Sequence, residues 1–188
     1  DTHMSRVFGE LFYGLEEEYR NTKIRTQYSY LKADDEPDFI IPENVYIIGT
    51  MNDIDRSVES MDFALRRRFA WHEITAEASE HIIDAIITEK KDDIIKEAKQ
   101  RMRNLNGALM KETGLGPEYQ LGGAYFKKIE KYCKDGIPNW GALWKNHLEV
   151  ILREYLRARK NAKEILGKLL DAYNNPPDST AAQENTTP

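Results

Sequence analysis

The distribution of apolar and polar residues changes near Thr75 and predicts two parts of different architecture. Before this point, apolar residues recur at helical spacing over residues 5–19, which predicts a helix. Residues 23–32 are rich in Thr, Tyr and Ile, a composition that predicts a strand or hairpin. Residues 44–49 form a short unbroken apolar run, which predicts a strand buried on both faces of a sheet.

Two further elements complete this first part. Ser57 can cap a helix on which Val58, Met61 and Leu65 share one face. Residues 69–74 predict another strand. The mixture predicts an α/β part over residues 5–75, and it is too short to supply all the strands of a parallel sheet. We therefore expect the last strands and helices of a larger α/β core.

After Thr75 only helical periodicity is present. Glycine and proline at residues 114–117 and 136–138 separate the apolar stripes. The stripes are Ile82, Ile83, Ile86, Ile87; Ile94, Ala98, Met102, Leu105, Leu109; Trp140, Leu143, Trp144, Leu148, Ile151, Leu152, Tyr155; and Ile165, Leu166, Leu169, Leu170. We predict an all-helical part over residues 76–173. A disordered tail over residues 174–188 is expected, because it has almost nothing to bury.

Composition narrows the class of protein. The 188 residues are 40% hydrophobic and 31% charged, as in ordinary globular proteins, and the formal net charge is -5. This charge argues against a generally basic nucleic-acid binder. Cys133 is the single cysteine, so no internal disulfide can form, and a cytoplasmic location is expected. A membrane span needs a run of about 18 or more apolar residues, and the sequence has none, so no membrane partner is expected.

The polar groups that follow residues 44–49 are candidates for chemistry. Ligands of open α/β sheets bind beyond the carboxyl ends of strands, where Asn52 could orient a water or touch a phosphate. Arg66, Arg67 and Arg68 follow one predicted helix later. Successive helical residues point about 100° apart, so the three arginines cannot all serve one site. A guanidinium fork can stabilise a transferring phosphoryl group, whereas periodicity alone favours a solvated basic face.

The sequence around these residues resembles a known family. Ile-Gly-Thr-Met-Asn-x-x-Asp-Arg-Ser, followed by Asp-x-Ala-Leu-Arg-Arg-Arg-Phe, resembles the AAA+ module of the McrB-type GTPases of modification-dependent restriction systems. The Met-Asn-x-x-Asp-Arg pattern is distinctive of that branch. Residues 5–10 resemble the segment after the family's acidic Mg²⁺ motif, residues 116–126 its lid motif, and residues 140–170 its closing helices. The resemblance covers about residues 5–172.

The resemblance implies a fold and a set of roles. It implies the last strands and helices of an AAA+ α/β core, followed by an all-helical lid subdomain. Asn52 matches the sensor-1 residue, which positions the attacking water or contacts the γ-phosphate. Arg67 and Arg68 match arginine-finger positions, which act on nucleotide held by a neighbouring subunit. Asp55 and Arg56 match a pair implicated at the subunit interface.

Two motifs of the family are not in the chain. Nothing matches Gly-x-x-x-x-Gly-Lys-Ser/Thr, and no apolar strand ends in Asp-Glu, so the phosphate cradle and Mg²⁺ ligands are missing. We therefore expect a C-terminal portion that is inactive alone and binds no cofactor or metal, and a cloning remnant at residues 1–4. The resemblance implies that the intact parent uses GTP or ATP with Mg²⁺. It also implies a ring of identical subunits, a nuclease partner subunit, and DNA bound through the assembly.

Two other functions remain open. One is a helical DNA-binding module that uses a basic stretch, Arg153, Arg157, Arg159, Lys160 and Lys163. The other is a ring-assembly module without catalysis of its own. His72, His81 and His147 show no metal-ligand spacing, so we expect structural roles for them.

Overall fold

The structure is a computed structural model that describes residues 13–25, 29–31, 39–51, 54, 66–88 and 91–175. The chain divides into two units, Asp1–His72 and Glu73–Pro188. This division lies three residues before Thr75, where the sequence pattern changes.

The first unit is built from short elements. Its described helices are the single 3-10 turns Glu17–Tyr19 and Ser29–Leu31. An antiparallel bridge joins Ile24 to Phe39, and Ile24 N donates to Phe39 O over 2.8 Å. Ile24 and Ile41 are buried against Gly14, where an added Cβ would lie 2.4 Å from Ile24 Cδ1. A glycine at this position leaves room for the side chains of Ile24 and Ile41.

Two strand predictions in this unit are wrong, and a third can be compared over only part of its length. Residues 45–50 are irregular, and the side chain of Ile48 is 92% exposed. Residues 70–74 are also irregular and exposed. Among the described residues of the segment 23–32, Ile24 bridges to Phe39, and Ser29–Leu31 is helical. A strand exists through hydrogen bonds to a neighbouring strand, and the described residues of this unit form the Ile24–Phe39 bridge but no longer ladder. The predicted parallel sheet is therefore not found among them.

Other predictions in this unit cannot be compared with the structure. The helix predicted over residues 5–19 falls mostly on residues outside the described part, and its last turn is the 3-10 turn Glu17–Tyr19. The helix predicted after Ser57 also lies outside the described residues.

The longest element of the second unit is helix α1, Lys91–Thr113. Its predicted stripe is confirmed, because Ile94, Ala98, Met102, Leu105 and Leu109 are all buried. The helix ends where Gly114 adopts a φ of 64° and its N–H donates to Met110 O over 2.9 Å. Glycine adopts this left-handed conformation without the steric cost of a Cβ.

Shorter elements surround α1. They are the 3-10 helices Ala78–Ala85, Pro117–Tyr119 and Lys128–Tyr132; helices α2 (Gly123–Lys127), α3 (Trp140–Leu143), α4 (Glu149–Leu156) and α5 (Ala162–Asn174); and the π-helical turn Trp144–Leu148 between α3 and α4. Helix α5 packs along α1, and α2 packs against Ala78–Ala85. The buried side chains of these elements form one apolar core.

Two details of the helical prediction need correction. The part predicted as all-helical contains a small antiparallel hairpin, with β1 at Cys133–Lys134 and β2 at Ile137–Pro138. Its turn residues, Asp135 and Gly136, both have positive φ, and an Asp-Gly turn suits the twist of a hairpin. The stripe at Ile82–Ile87 forms a 3-10 helix that stops at Ala85, so Ile87 is 88% exposed. The disordered tail was predicted over residues 174–188, but Asn174 is the last residue of α5, and residues 176–188 lie outside the described residues.

Candidate functional site

The three consecutive arginines have three different surroundings in the first unit. Arg66 is helical, and Arg67 and Arg68 form the turn that follows. Because the chain leaves helical geometry here, neighbouring side chains diverge. One site cannot receive all three guanidinium groups.

Arg68 is held within the unit. Its Nη2 donates to Glu16 Oε1 in an ion pair that joins residues 52 positions apart. The Arg68 side chain is 14% exposed and that of Glu16 is 34% exposed. A largely covered ion pair is screened less by water and salt than an exposed one. Arg68 is therefore engaged by a carboxylate of its own chain.

Arg66 contacts Trp71 in two ways. The indole Nε1 of Trp71 donates to the backbone carbonyl of Arg66 over 2.8 Å. The Arg66 guanidinium carbon lies 5.8 Å from the centroid of the Trp71 ring, within the range of a cation–π interaction. These contacts close a loop over residues 66–71, which includes the three arginines.

Arg67 lies between these two engaged neighbours, and its side chain is exposed. An exposed guanidinium presents five N–H donors in a fixed planar fork that matches the oxygens of a phosphate. Arg67 thus differs from Arg68 in being available to a ligand outside its own unit.

The remaining candidate residues are not placed. Asn52, Asp55 and Arg56 lie outside the described residues, although their neighbours Met51 and Ile54 are described. The structure therefore distinguishes Arg67 from Arg68, and the proposed sensor residue is not among the residues it describes.

The segment predicted as a lid motif is tied to the core of the second unit by buried polar contacts. Asn106 of α1 accepts from Leu121 N over 2.8 Å and donates to Leu121 O over 3.0 Å. Ser79 Oγ accepts from Gly123 N over 2.9 Å. A Cβ on Gly123 would meet Ser79 O at 2.3 Å, so only glycine fits there. Residues 121–123 form a fixed, close-packed junction.

Comparisons with known proteins agree with these features. A family model described as an AAA domain of the dynein-related subfamily matches residues 1–69, which include the three arginines. The chain is 36% identical over 127 residues to the type IV methyl-directed restriction enzyme EcoKMcrB subunit of Escherichia coli (strain K12). That match covers 66% of this chain and 28% of the relative. No solved structure matched the chain. These two similarities support an McrB-type AAA+ protein.

Most of the basic stretch in the second unit is engaged by other protein groups. Arg153 pairs with Glu149 and Arg157 with Glu154, each within about one helical turn. Arg159 Nη2 donates to the backbone carbonyl of Thr113 over 2.6 Å, which joins the end of α4 to the end of α1. These contacts favour a structural role for the stretch over binding DNA phosphates.

Two titratable groups of the second unit, His147 and Cys133, have shifted pKa values because of their surroundings. His147 Nε2 lies 3.0 Å from Tyr132 Oη. Burial, followed by the charges of Lys128 and Lys131, lowers the pKa of His147. Burial also raises the pKa of the Cys133 thiol. Within the described residues there is no cluster of His, Cys, Asp or Glu that could hold a metal ion. No described helix is long and apolar enough to cross a membrane.

Four residues of these sites were not singled out from the sequence: Glu16, Trp71, Ser79 and Asn106. Glu16 belongs to a run of three glutamates that predicted only a solvated helix end. Asn106 lies next to the stripe residue Leu105 without interrupting the stripe. It bonds to Leu121, 15 residues away, so the local pattern does not reveal its role. Only the polar type of Asn106, one position from a buried leucine, could have drawn attention to it.

Proposed function

We propose that this chain is part of an AAA+ NTPase that hydrolyses GTP or ATP and powers a modification-dependent DNA restriction system. Two findings support the proposal: the similarity to a subunit of a methyl-directed restriction enzyme, and the match of residues 1–69 to an AAA domain. The aligned region spans 28% of that relative, so further residues of the full-length protein would supply the phosphate loop and the Mg²⁺ ligands.

In this proposal Arg67 is the arginine finger. The observation that carries it is the contrast between Arg67, which is exposed, and Arg68, which is paired with Glu16. A finger must reach nucleotide bound by a neighbouring subunit, so its guanidinium cannot be committed to a carboxylate of its own chain. Once there, its fixed positive charge stabilises the negative charge that spreads over the transferring phosphoryl group.

The other roles follow the family pattern. We propose that Asn52 positions the attacking water and that Asp55 and Arg56 act at the subunit interface. A ring of identical subunits would bring Arg67 of one copy to the nucleotide of the next. Nucleotide hydrolysis in the ring would power the action of a nuclease subunit on DNA.

The proposal is tested by turnover of the full-length protein that contains this chain. We expect Arg67→Ala to lower kcat by about 10³- to 10⁵-fold, the usual contribution of an arginine finger. Arg25→Ala, at another exposed arginine of the same unit, is the matched control and should leave kcat unchanged. Thermal unfolding of both variants should match that of the wild type, because exposed side chains contribute little to stability. Wild-type turnover by Arg67→Ala would contradict the proposal.

A further inference from the structure

We infer that Glu16 is a positioning residue of the arginine finger: its ion pair with Arg68 fixes the turn that directs Arg67 outward. This inference rests on the proposed function of Arg67. Glu16 touches neither nucleotide nor Arg67 in this account. It acts through Arg68, the residue next to the finger.

Glu16 can serve as an anchor because its own segment is held in place. Arg20, one helical turn later, donates through Nη1 to the backbone carbonyls of Val45 over 3.2 Å and Pro42 over 3.4 Å. Asn21 N donates to Ile41 O over 3.0 Å. The rings of Tyr13 and Tyr19 stack with centroids 4.0 Å apart, on either side of Glu16 in sequence. The carboxylate therefore projects from a turn that is tied to the segment around residues 41–45.

A second contact holds the other side of Arg67. Trp71 Nε1 donates to the Arg66 carbonyl, so the peptide before Arg67 is held while the side chain after it is paired with Glu16. With both neighbours engaged, the rotation available to the Arg67 backbone is restricted. A reacting group displaced by about 1 Å can lose about 100-fold in rate, so such restriction matters for a finger.

The test compares Glu16→Gln with Glu17→Gln in the full-length protein. Glu17 is the adjacent, exposed acidic residue, so its variant removes the same charge from the same turn. We expect Glu16→Gln to lower kcat by about 10- to 100-fold with an unchanged KM for nucleotide, because the nucleotide site of the variant subunit is intact. Glu17→Gln should keep the wild-type kcat. A wild-type kcat for Glu16→Gln would overturn the inference.

Two further measurements exclude a general loss of structure. Mixed with a subunit inactivated in its own phosphate loop, which carries an intact finger, Glu16→Gln should regain turnover. Its own nucleotide site is intact, and its defect affects only the nucleotide site of the neighbouring subunit. In addition, Glu16→Arg combined with Arg68→Glu should turn over faster than either single reversal, since the double variant restores an opposite-charge pair. Absence of both effects would mean that Glu16 has only a structural role.

The outcomes separate this inference from the proposed function. If Arg67→Ala keeps wild-type turnover, the finger proposal fails and the positioning role fails with it. If Arg67→Ala loses turnover while Glu16→Gln does not, only the positioning role is wrong.

Discussion

The side chain of Arg101, in α1, contacts Trp140 of α3 and Tyr173 of α5. Its guanidinium carbon lies 4.7 Å from the centroid of the Trp140 ring and 4.8 Å from that of Tyr173. Its Nη1 donates to Tyr173 O over 2.8 Å, near the end of α5, and its Nη2 pairs with Glu97. The backbone carbonyls of a last helical turn lack intrahelical partners, so a cation placed there is favourable.

We therefore predict that Arg101→Ala lowers the free energy of unfolding by about 2–3 kcal/mol, since a charged hydrogen bond and two cation–π contacts are lost together. Arg101→Lys should fall between Arg101→Ala and the wild type, because lysine keeps the charge but not the planar fork. Lys96→Ala, at an exposed lysine of the same helix, is the control. Urea denaturation measures all three, and equal values for Arg101→Ala and Lys96→Ala would contradict the assignment.

The lowered pKa of His147 makes the free energy of unfolding of the second unit decrease as the pH falls. Burial and the nearby charges of Lys128 and Lys131 lower its pKa in the folded state below the ordinary value of 6.5. As the pH falls through the unfolded-state pKa, the unfolded chain binds a proton first, and stability decreases. The loss stops once the pH lies below the folded-state pKa as well. Protonation also makes both ring nitrogens donors, so that in the charged form the Tyr132 hydroxyl oxygen must accept in this contact.

The prediction concerns the difference between wild type and His147→Gln in how the free energy of unfolding depends on pH. Between about pH 8 and pH 5, the free energy of unfolding of the wild type should fall more steeply than that of His147→Gln. Subtracting the curves removes the contribution of carboxylates, which both proteins share. Denaturation at several pH values measures the two slopes, and identical slopes would show that His147 does not contribute.

At the scale of elements, helices were predicted better than strands because their hydrogen bonds are local. The stripe of α1 was enough to predict which residues are buried. Residues 44–49 have an equally clear apolar run, yet a strand depends on partners that the run itself does not encode. The hairpin at residues 133–138 was missed for a different reason. Its strands are two residues long, too short for an alternating pattern, and only the Asp-Gly pair signals it.

Glycines in the second unit provide a test of element packing. Gly123→Ala should lower the free energy of unfolding by about 1–3 kcal/mol, because its Cβ would meet the backbone carbonyl of Ser79. Gly167→Ala should raise it by about 0.5–1 kcal/mol, since Gly167 is exposed within α5 and its Cβ would meet nothing within 4 Å. Thermal or urea unfolding of the two variants should move in opposite directions, and movement in the same direction would contradict the packing described for residues 121–123.

At the scale of the whole molecule, the candidate site was predicted only in part. The motif at residues 47–69 identified the arginines, and helical geometry already indicated that they diverge. Which arginine is covered could not be predicted, because that depends on Glu16, 52 positions away in sequence. Asn52, Asp55 and Arg56 stay predictions, since they lie outside the described residues.

The central claim is that Arg67 of one subunit completes the nucleotide site of another. The most direct measurement is NTP hydrolysis by a mixture of two inactive full-length variants, Arg67→Ala and a variant with a disabled phosphate loop. The Arg67→Ala subunit keeps an intact nucleotide site, and its partner keeps an intact finger, so some interfaces in mixed rings combine both. The mixture should recover part of the wild-type rate of NTP hydrolysis. A mixture as inactive as its components, in rings that still assemble, would contradict it.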